Sequence, residues 1–392
     1  MNHLDLMKKI ATVIIPTYNE AGNIKTTISQ LQAVFSSIDN WSMQILVVDD
    51  TSPDKTYEIV KELQKQHNNL HLLMNKEKAG LGAAYLKGMH HAFNQLKSDV
   101  IFEFDADLSH NPKKIPEFLK KIEDGNDLVI GSRYIPGGSI PKDWALHRKF
   151  LSKIGNIVIK IILTNFTISD WTTGFRALTK EVFEEISPEM TDQRFSGYTF
   201  QIGFLYKAVK KKFKIAEVPF HFKDRTVGKS KIGPEYIINN LIYLGKTRLD
   251  EFMQSRIFKF MVVGSIAAGV QLVSLELFRL LFSYLIANIL SIEAAIIFNF
   301  IMNNFWTFSD RKLEIKQVPL KFIQFNLTSA GSIIIQMIVA FLGVTFIGLV
   351  ELFSIPIINY PLDTGPVFSA VGILLGMFWN FFAYNFFIWK KK

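Results

Sequence analysis

The sequence predicts a largely parallel, doubly wound α/β domain followed by an α-helical membrane domain. Three observations carry this. The first half alternates short apolar runs with amphipathic runs, the signature of repeated β-α-β units. Its polar motifs fall where the apolar runs end. From Ile257 onward Phe, Ile, Leu and Val dominate.

The elements follow in order. Ala11–Ile15 (ATVII) is a buried strand, and Asn19–Phe35 a helix with Ile24, Ile28, Leu31 and Phe35 near helical spacing. Gln44–Val48 is a second strand and Asp54–Gln66 a helix opened by Asp54. Leu70–Met74 is a strand, Gly82–Gln95 a helix, Val100–Phe104 a strand, Ile115–Glu123 a helix and Asp127–Ile130 a strand. In such sheets ligands bind beyond the carboxyl ends of the strands. Pro16-Thr17-Tyr18-Asn19-Glu20, Asp49-Asp50-Thr51-Ser52-Pro53-Asp54 and Asp105-Ala106-Asp107 all sit there.

The second half holds four apolar stretches at about 258–282, 285–307, 321–350 and 365–388, near the roughly 20 residues a bilayer span needs. The basic segment Asp310–Lys316 and the terminal Lys390-Lys391-Lys392 place the same side inside. The loop ELFSIPIINYPLDTGP lacks Lys and Arg and faces out. A multi-pass integral membrane protein is expected, with the first domain and both termini cytosolic. Three regions follow: 1–233 the α/β domain, 234–256 interfacial juxtamembrane helices, 257–392 membrane-embedded. The segment 234–256 has apolar residues near helical spacing beside Lys246 and Arg248, which suits a helix on the membrane surface. No internal repeat is legible.

The net charge of +9 suits nucleic acid or an anionic membrane; the apolar second half selects the lipid bilayer and argues against nucleic acid. The absence of cysteine excludes disulfides and thiol chemistry.

Asp105 and Asp107 are one residue apart at a strand end and point to the same side. Two carboxylates there repel unless a cation sits with them. Hard oxygen ligands select Mg2+ or Mn2+, ions that usually also hold substrate phosphates. The alternative is that Asp107 caps the turn before Asn111-Pro112. Ser109 follows at the next alternate position, where a hydroxyl adds a weak third ligand. Asp50 suits a nucleotide base or ribose, while Asp54 caps the next helix. Gly80-Leu81-Gly82 allows close backbone approach to a ligand or makes a plain turn. Arg133, Arg148, Arg176, Arg225, Lys229 and Lys231 suit phosphate; the basic cluster at the membrane side fits a lipid phosphate or anionic headgroups equally.

Together PTYNE, VVDDTSPDKT, GLGAAYLKG, DADLSH, GSRY, DWTTGFRAL and the segment from Gly197 to Lys231 resemble the dolichyl-phosphate (polyprenyl-phosphate) mannose synthases of glycosyltransferase family 2. The resemblance covers about residues 10–250. It implies the GT-A fold, a Rossmann-like, doubly wound mixed sheet. The second half, with FKFMVVGSIAAG and NFIMNNFWTF, resembles the GtrA-like four-span domain. The family implies inverting transfer of mannose from GDP-mannose to dolichyl or polyprenyl phosphate on the cytosolic face. Carried over, Pro16, Tyr18, Glu20, Asp50 and Gly82 bind the nucleotide with Asp105, Ala106 and Asp107. Asp105, Asp107 and Ser109 hold the metal, Mg2+ or Mn2+. Arg133, Arg148, Ser152, Arg225 and Lys231 bind the sugar side and the lipid phosphate; Asp105, Asp107, Arg133 and Arg148 carry catalysis. Ser109 stands where many relatives place a Gln ligand, and Lys55 where Gly is frequent in a turn. Two alternatives stay open: a UDP-glucose-dependent glucosyltransferase, and a glycolipid flippase role for the membrane domain through polar residues such as Glu276, Arg279, Asn303 and Asn304.

Overall fold

The computed structural model describes residues 8–76, 78, 80–190, 198–224, 234–282, 284–348, 350–355 and 360–389. The chain forms two compact units, Met1–Arg248 and Leu249–Lys392.

The first unit is built on a seven-stranded mixed sheet. Its strands are β1 (Lys9–Thr17), β2 (Trp41–Asp49), β3 (Leu70–Met74), β4 (Val100–Glu103), β5 (Leu128–Ser132), β6 (Arg176–Thr179) and β7 (Ile215–Pro219), in spatial order β3-β2-β1-β4-β6-β5-β7. β1 pairs in parallel with both β2 and β4, while β6 runs antiparallel between β4 and β5. The strand order therefore reverses at β1 and β4, the place where open α/β sheets open a crevice.

The central strands read as continuous apolar runs because both faces are covered. Val13, Ile15, Ile45, Val47 and Phe102 pack under α1 (Ile24–Phe35), α2 (Thr56–Gln64) and α4 (Ile115–Glu123). Ile14, Leu46, Val48 and Ile101 face α3 (Leu81–Asn94), α5 (Leu146–Leu163), α6 (Lys180–Ile186) and α7 (Tyr198–Lys210). Helix α3 lies unusually close to the sheet: a Cβ on Gly88 would come within 2.7 Å of Ile14 and 3.0 Å of Val48.

All the predicted strands and helices of the first half form, with bounds shifted by a few residues, most at the starts of α1 and β2. Helix α1 begins at Ile24 rather than Asn19, because Asn19 adopts φ 60° and interrupts the chain. Helix α2 begins at Thr56 rather than Asp54, because Lys55 sits in the left-handed region at φ 60°. Glycine is the residue that adopts such a conformation at least cost.

The division into units falls inside α8 (Pro234–Gln254), a single helix over most of the segment read as interfacial, 234–256. In the second unit, α9 (Arg256–Arg279), α10 (Tyr284–Met302), α11 (Val318–Phe346) and α12 (Gly365–Ala383) stand where the four spans are expected. Among the described residues, no helix is long and apolar enough to cross a membrane. The loop between α11 and α12 forms a hairpin of β8 (Glu351–Ile355) and β9 (Tyr360–Asp363).

The second unit corrects the expectation of no internal repeat. Phe298–Phe305 reads FNFIMNNF and Trp379–Phe386 reads WNFFAYNF. Both lead into a single π-helical turn, Asn303–Thr307 and Tyr384–Ile388. The packing repeats too. Phe260 of α9 meets Phe381 of α12 at 5.6 Å and 68°, and Phe322 of α11 meets Phe300 of α10 at 5.3 Å and 70°. Phe308 and Trp389, which follow the two π turns, stack on each other at 4.6 Å and 8°. The ring pair between α9 and α12 thus resembles the one between α10 and α11.

Candidate active site

The carboxyl ends of β2, β1 and β4 lie side by side, since Thr17 pairs with Asp49 and Ile14 with Glu103. Asp49 is fully buried and spent on structure. It accepts from Ser52 N at 2.8 Å, Ser52 Oγ at 2.7 Å and Thr17 Oγ1 at 2.8 Å. Asp50, next along, accepts from Asn75 Nδ2 at 2.5 Å and from Gly80 N at 3.3 Å. Gly80 has φ 86°, so glycine is needed to aim that N–H. Gly82 is buried in the first turn of α3. Tyr18 carries the Lys78 ammonium 4.3 Å from its ring centroid, and Glu20 accepts from Asn23 Nδ2 at 2.8 Å. Pro16 is paired to Val48 in the strand. Asp54 caps α2 at Thr56 N, 3.1 Å, as expected.

Asp105-Ala106-Asp107 follows β4 in the same crevice. Asp105 donates its N–H to His110 Nδ1 at 3.1 Å, and Tyr85 Oη reaches Asp105 Oδ1 at 3.3 Å. Ala106 O accepts from Thr27 Oγ1 at 2.8 Å, which ties the loop to α1. Asp107 Oδ1 accepts from Ser109 N at 3.1 Å across Leu108, whose φ is 66°. The turn role considered for Asp107 is thus real, and it leaves Asp107 Oδ2 outside that bond. Ser109 is buried, its hydroxyl short for the place an amide would reach. His110 is buried too, its ring stacked on Phe175 at 4.9 Å. Burial pulls its imidazole below the ordinary value, against the pull of Asp105 and Asp107. It serves as a neutral acceptor for the loop, not as a surface residue.

A small hard cation suits this donor set. Asp105 is one-third exposed and Asp107 is buried. No group of three or more His, Cys, Asp or Glu ligands occurs among the described residues. Mg2+-type ions fill much of their shell with water and phosphate oxygens.

Beneath the loop lies a buried charge pair that sequence reading missed. Glu103 and Arg176 are both fully buried, with Glu103 Oε2 4.0 Å from Arg176 Nε. Arg176 donates instead to Thr173 O at 3.0 Å and Gln201 O at 2.8 Å. Neither Glu103 oxygen has a hydrogen-bond partner. Burial pushes the Glu103 carboxyl up to about 7, the Arg176 charge opposing. Arg176, read from sequence as a phosphate binder, is instead locked inside the sheet. Burial, then the charges of Asp105 and Glu103, push the Tyr85 phenol well above its ordinary value.

Two of the remaining basic residues are held by carboxylates. Arg133 forks onto the fully buried Asp170, Nε to Oδ2 and Nη2 to Oδ1, both 2.7 Å. Arg148 forks onto Asp224 at 2.9 Å twice and stacks over Trp144, 3.8 Å from its centroid. Trp144 Nε1 shares that carboxylate at 2.7 Å. Ser152 hydrogen-bonds the Tyr134 hydroxyl. Arg225, Lys229 and Lys231 lie outside the described residues.

Arg148 and Ser152 are both on α5, a helix absent from the sequence reading. One stripe, Asn156, Ile159 and Leu163, is buried in the unit. The opposite stripe is bare: Leu146 is 83% exposed, Phe150 64%, Ile157 48% and Ile161 58%. Lys149, Lys153 and Lys160 flank it. The helical period of LHRKFLSKIGNIVIKIIL was the available signal; apolar residues on both stripes hid the amphipathicity.

In the second unit, Asn303 and Asn304 act as structural glue. Asn304 Oδ1 accepts from Leu313 N at 2.9 Å and Trp389 Nε1 at 3.0 Å. The side chains of Glu276 and Arg279 lie outside the described residues.

The acidic loop thus lies at the switch point of a mixed α/β sheet, and a helical unit follows in the chain. The glycosyl transferase family 2 model matches residues 12–187, and the GtrA/DPMS transmembrane domain model matches 259–389. Dolichol-phosphate mannosyltransferase from Pyrococcus furiosus is 37% identical over 350 residues, covering 86% of this chain and 92% of the relative. Polyprenol monophosphomannose synthase from Mycolicibacterium smegmatis is 39% identical over 221 residues, covering 56% of this chain and 80% of the relative. The chain belongs to this family of polyprenyl-phosphate mannosyltransferases. Among solved structures, mannosyl-3-phosphoglycerate synthase from Rubrobacter xylanophilus is 18% identical with a TM-score of 0.45, covering 64% of this chain and 76% of that chain.

Proposed function

We propose that the protein transfers a mannosyl group from GDP-mannose to dolichyl or polyprenyl phosphate at the cytosolic membrane face, with inversion to a β-linked product. Similarity to the Pyrococcus furiosus mannosyltransferase over 92% of that relative's length supports the reaction. The observation that carries the site is the Asp105-Ala106-Asp107 loop at the β1/β4 reversal, beside Asp50 and Tyr18.

Asp50, Tyr18, Glu20 and the Gly80–Gly82 backbone orient the nucleoside. Asp105 and Asp107 hold Mg2+ or Mn2+, which when bound neutralises charge building on the leaving diphosphate. The acceptor phosphate is already ionised at neutral pH and needs no general base, in contrast to a sugar hydroxyl. Alignment and charge neutralisation then supply the acceleration. His110, buried and accepting from the Asp105 backbone, is left out of proton transfer.

Helix α5 joins the two halves of the acceptor on one rigid rod. Its Arg148 and Ser152 meet the phosphate, and its bare stripe with flanking lysines meets the lipid. Arg148 is pre-stacked on Trp144, which holds its guanidinium in a fixed plane. The match of residues 259–389 to the GtrA/DPMS transmembrane domain supports a membrane anchor for the catalytic unit.

The test uses membranes from cells expressing the protein, a panel of radiolabelled nucleotide sugars, added polyprenyl phosphate and extraction of lipid product. Label in the lipid fraction from GDP-mannose, absent with UDP-glucose, is the expected result. Label from UDP-glucose alone overturns the sugar assignment.

A further inference from the structure

We infer that Tyr85 is a positioning residue for the metal-binding carboxylate of Asp105, and that helix α3 thereby couples the nucleotide end of the site to its metal end. This rests on the reading of Asp105 and Asp107 as a divalent-cation site.

The loop after β4 is pinned mostly through its backbone. His110 takes the Asp105 N–H at 3.1 Å, Thr27 holds Ala106 O at 2.8 Å, and Ser109 N holds Asp107 Oδ1 at 3.1 Å. These bonds fix the chain; the Asp105 carboxylate itself is one-third exposed, with His110 Nε2 3.6 Å from its Oδ2. Tyr85 meets it from below. Its side chain is fully buried, its ring is stacked on Phe200 at 6.1 Å, and its hydroxyl reaches Oδ1 at 3.3 Å. A protonated phenol donates one hydrogen bond. Spending it on Oδ1 orients the carboxylate, with Oδ2 facing Gly174 and His110. Partners of this kind set ligand orientation and basicity.

Helix α3 is placed to do this accurately. It begins at Gly80, whose N–H holds Asp50 at 3.3 Å, and a turn later it presents Tyr85 to Asp105. Gly88 lets it lie hard on Ile14 and Val48, so the phenol cannot retreat. One rigid element therefore fixes both carboxylates against each other, and nucleotide seating at Asp50 is felt at Asp105.

The experiment titrates Mn2+ into the full-length protein in detergent with saturating GDP, following free ion by electron paramagnetic resonance. Tyr85→Phe removes one hydroxyl and keeps the ring. It should weaken Mn2+ binding about 10-fold or more, with the metal-free melting temperature unchanged. p-Aminophenylalanine at position 85 returns a donor and should restore affinity. Equal Mn2+ affinity in wild type and Tyr85→Phe overturns the inference, as does a loss that the restored donor fails to repair. No Mn2+ uptake by wild type removes the metal reading itself, and the inference with it.

Discussion

The bare stripe of α5 makes a quantitative prediction about membrane docking. Burying a Phe or Ile side chain fully is worth roughly 1.5–3 kcal/mol. Phe150 is 64% exposed and Ile157 48%, so a lipid surface still has about half of that to gain from each. Replacing both by Ser should cost about 1.5–3 kcal/mol of membrane affinity, roughly 10- to 150-fold in partitioning. Neither side chain supports the fold, so thermal stability should stay within about 0.5 kcal/mol. The assay is flotation of a chain ended after Arg248 with vesicles containing anionic lipid, at low and high salt. Lys149, Lys153 and Lys160 contribute about 1 kcal/mol each near an anionic surface. That share should vanish at high salt while the apolar share persists. A double variant that floats within about three-fold of wild type would refute the reasoning, and the stripe would then serve some other surface.

The other predictions concern the site and the turns around it. Asp107→Ala should lower transfer roughly 100- to 1,000-fold, measured as labelled lipid with and without chelator; transfer in wild type that survives complete chelation would end the metal role. Arg148→Ala should raise the KM for the polyprenyl phosphate more than for the nucleotide sugar, and a change confined to the nucleotide term reassigns that residue. Lys55→Gly removes a side chain from φ 60° and should add about 0.5–1 kcal/mol to unfolding of the Arg248-ended chain. Glu103, raised by burial from 4.5 to about 7, contributes stability that is whole below its unfolded pKa and is lost as pH climbs through 7. Denaturant unfolding of that chain should therefore weaken by up to roughly 3 kcal/mol between pH 4.5 and 8 from this group alone. Glu103→Gln should flatten the profile, and parallel profiles would exclude Glu103 as its origin.

How much was legible depended on whether one rule acted alone. The first five strands and four helices of the catalytic unit declare themselves because each strand is apolar on both faces and each helix apolar on one. The acid loops were legible for the same reason, since charge at the end of such a run is conspicuous. Strand β6 was not, because it opens on Arg176, whose buried guanidinium donates to Thr173 O and to the distant Gln201 O. No local pattern announces a partner that far away in sequence. Helix α5 was missed because its two stripes are both apolar, one for the protein and one for lipid. Asp105 and Asp107 lie in the turn after β4, and Ser109, read as a third ligand, donates its N–H to Asp107. Tyr85 was not singled out, because its ring is core and only its hydroxyl reaches Asp105. The repeat in the second unit stayed hidden because its copies share few residues, and the matched ring pairs made it visible.

The duplicated hairpin has a consequence for assembly. A hairpin that docks on its near-copy within one chain carries the same docking code for a neighbouring chain. Exchange of hairpins between two molecules would need no new contact. What favours the closed arrangement is the short tether from Ser309 to Gln317, which holds the two halves at an effective concentration in the millimolar range. Lengthening that tether would therefore act on oligomeric state before it acted on fold.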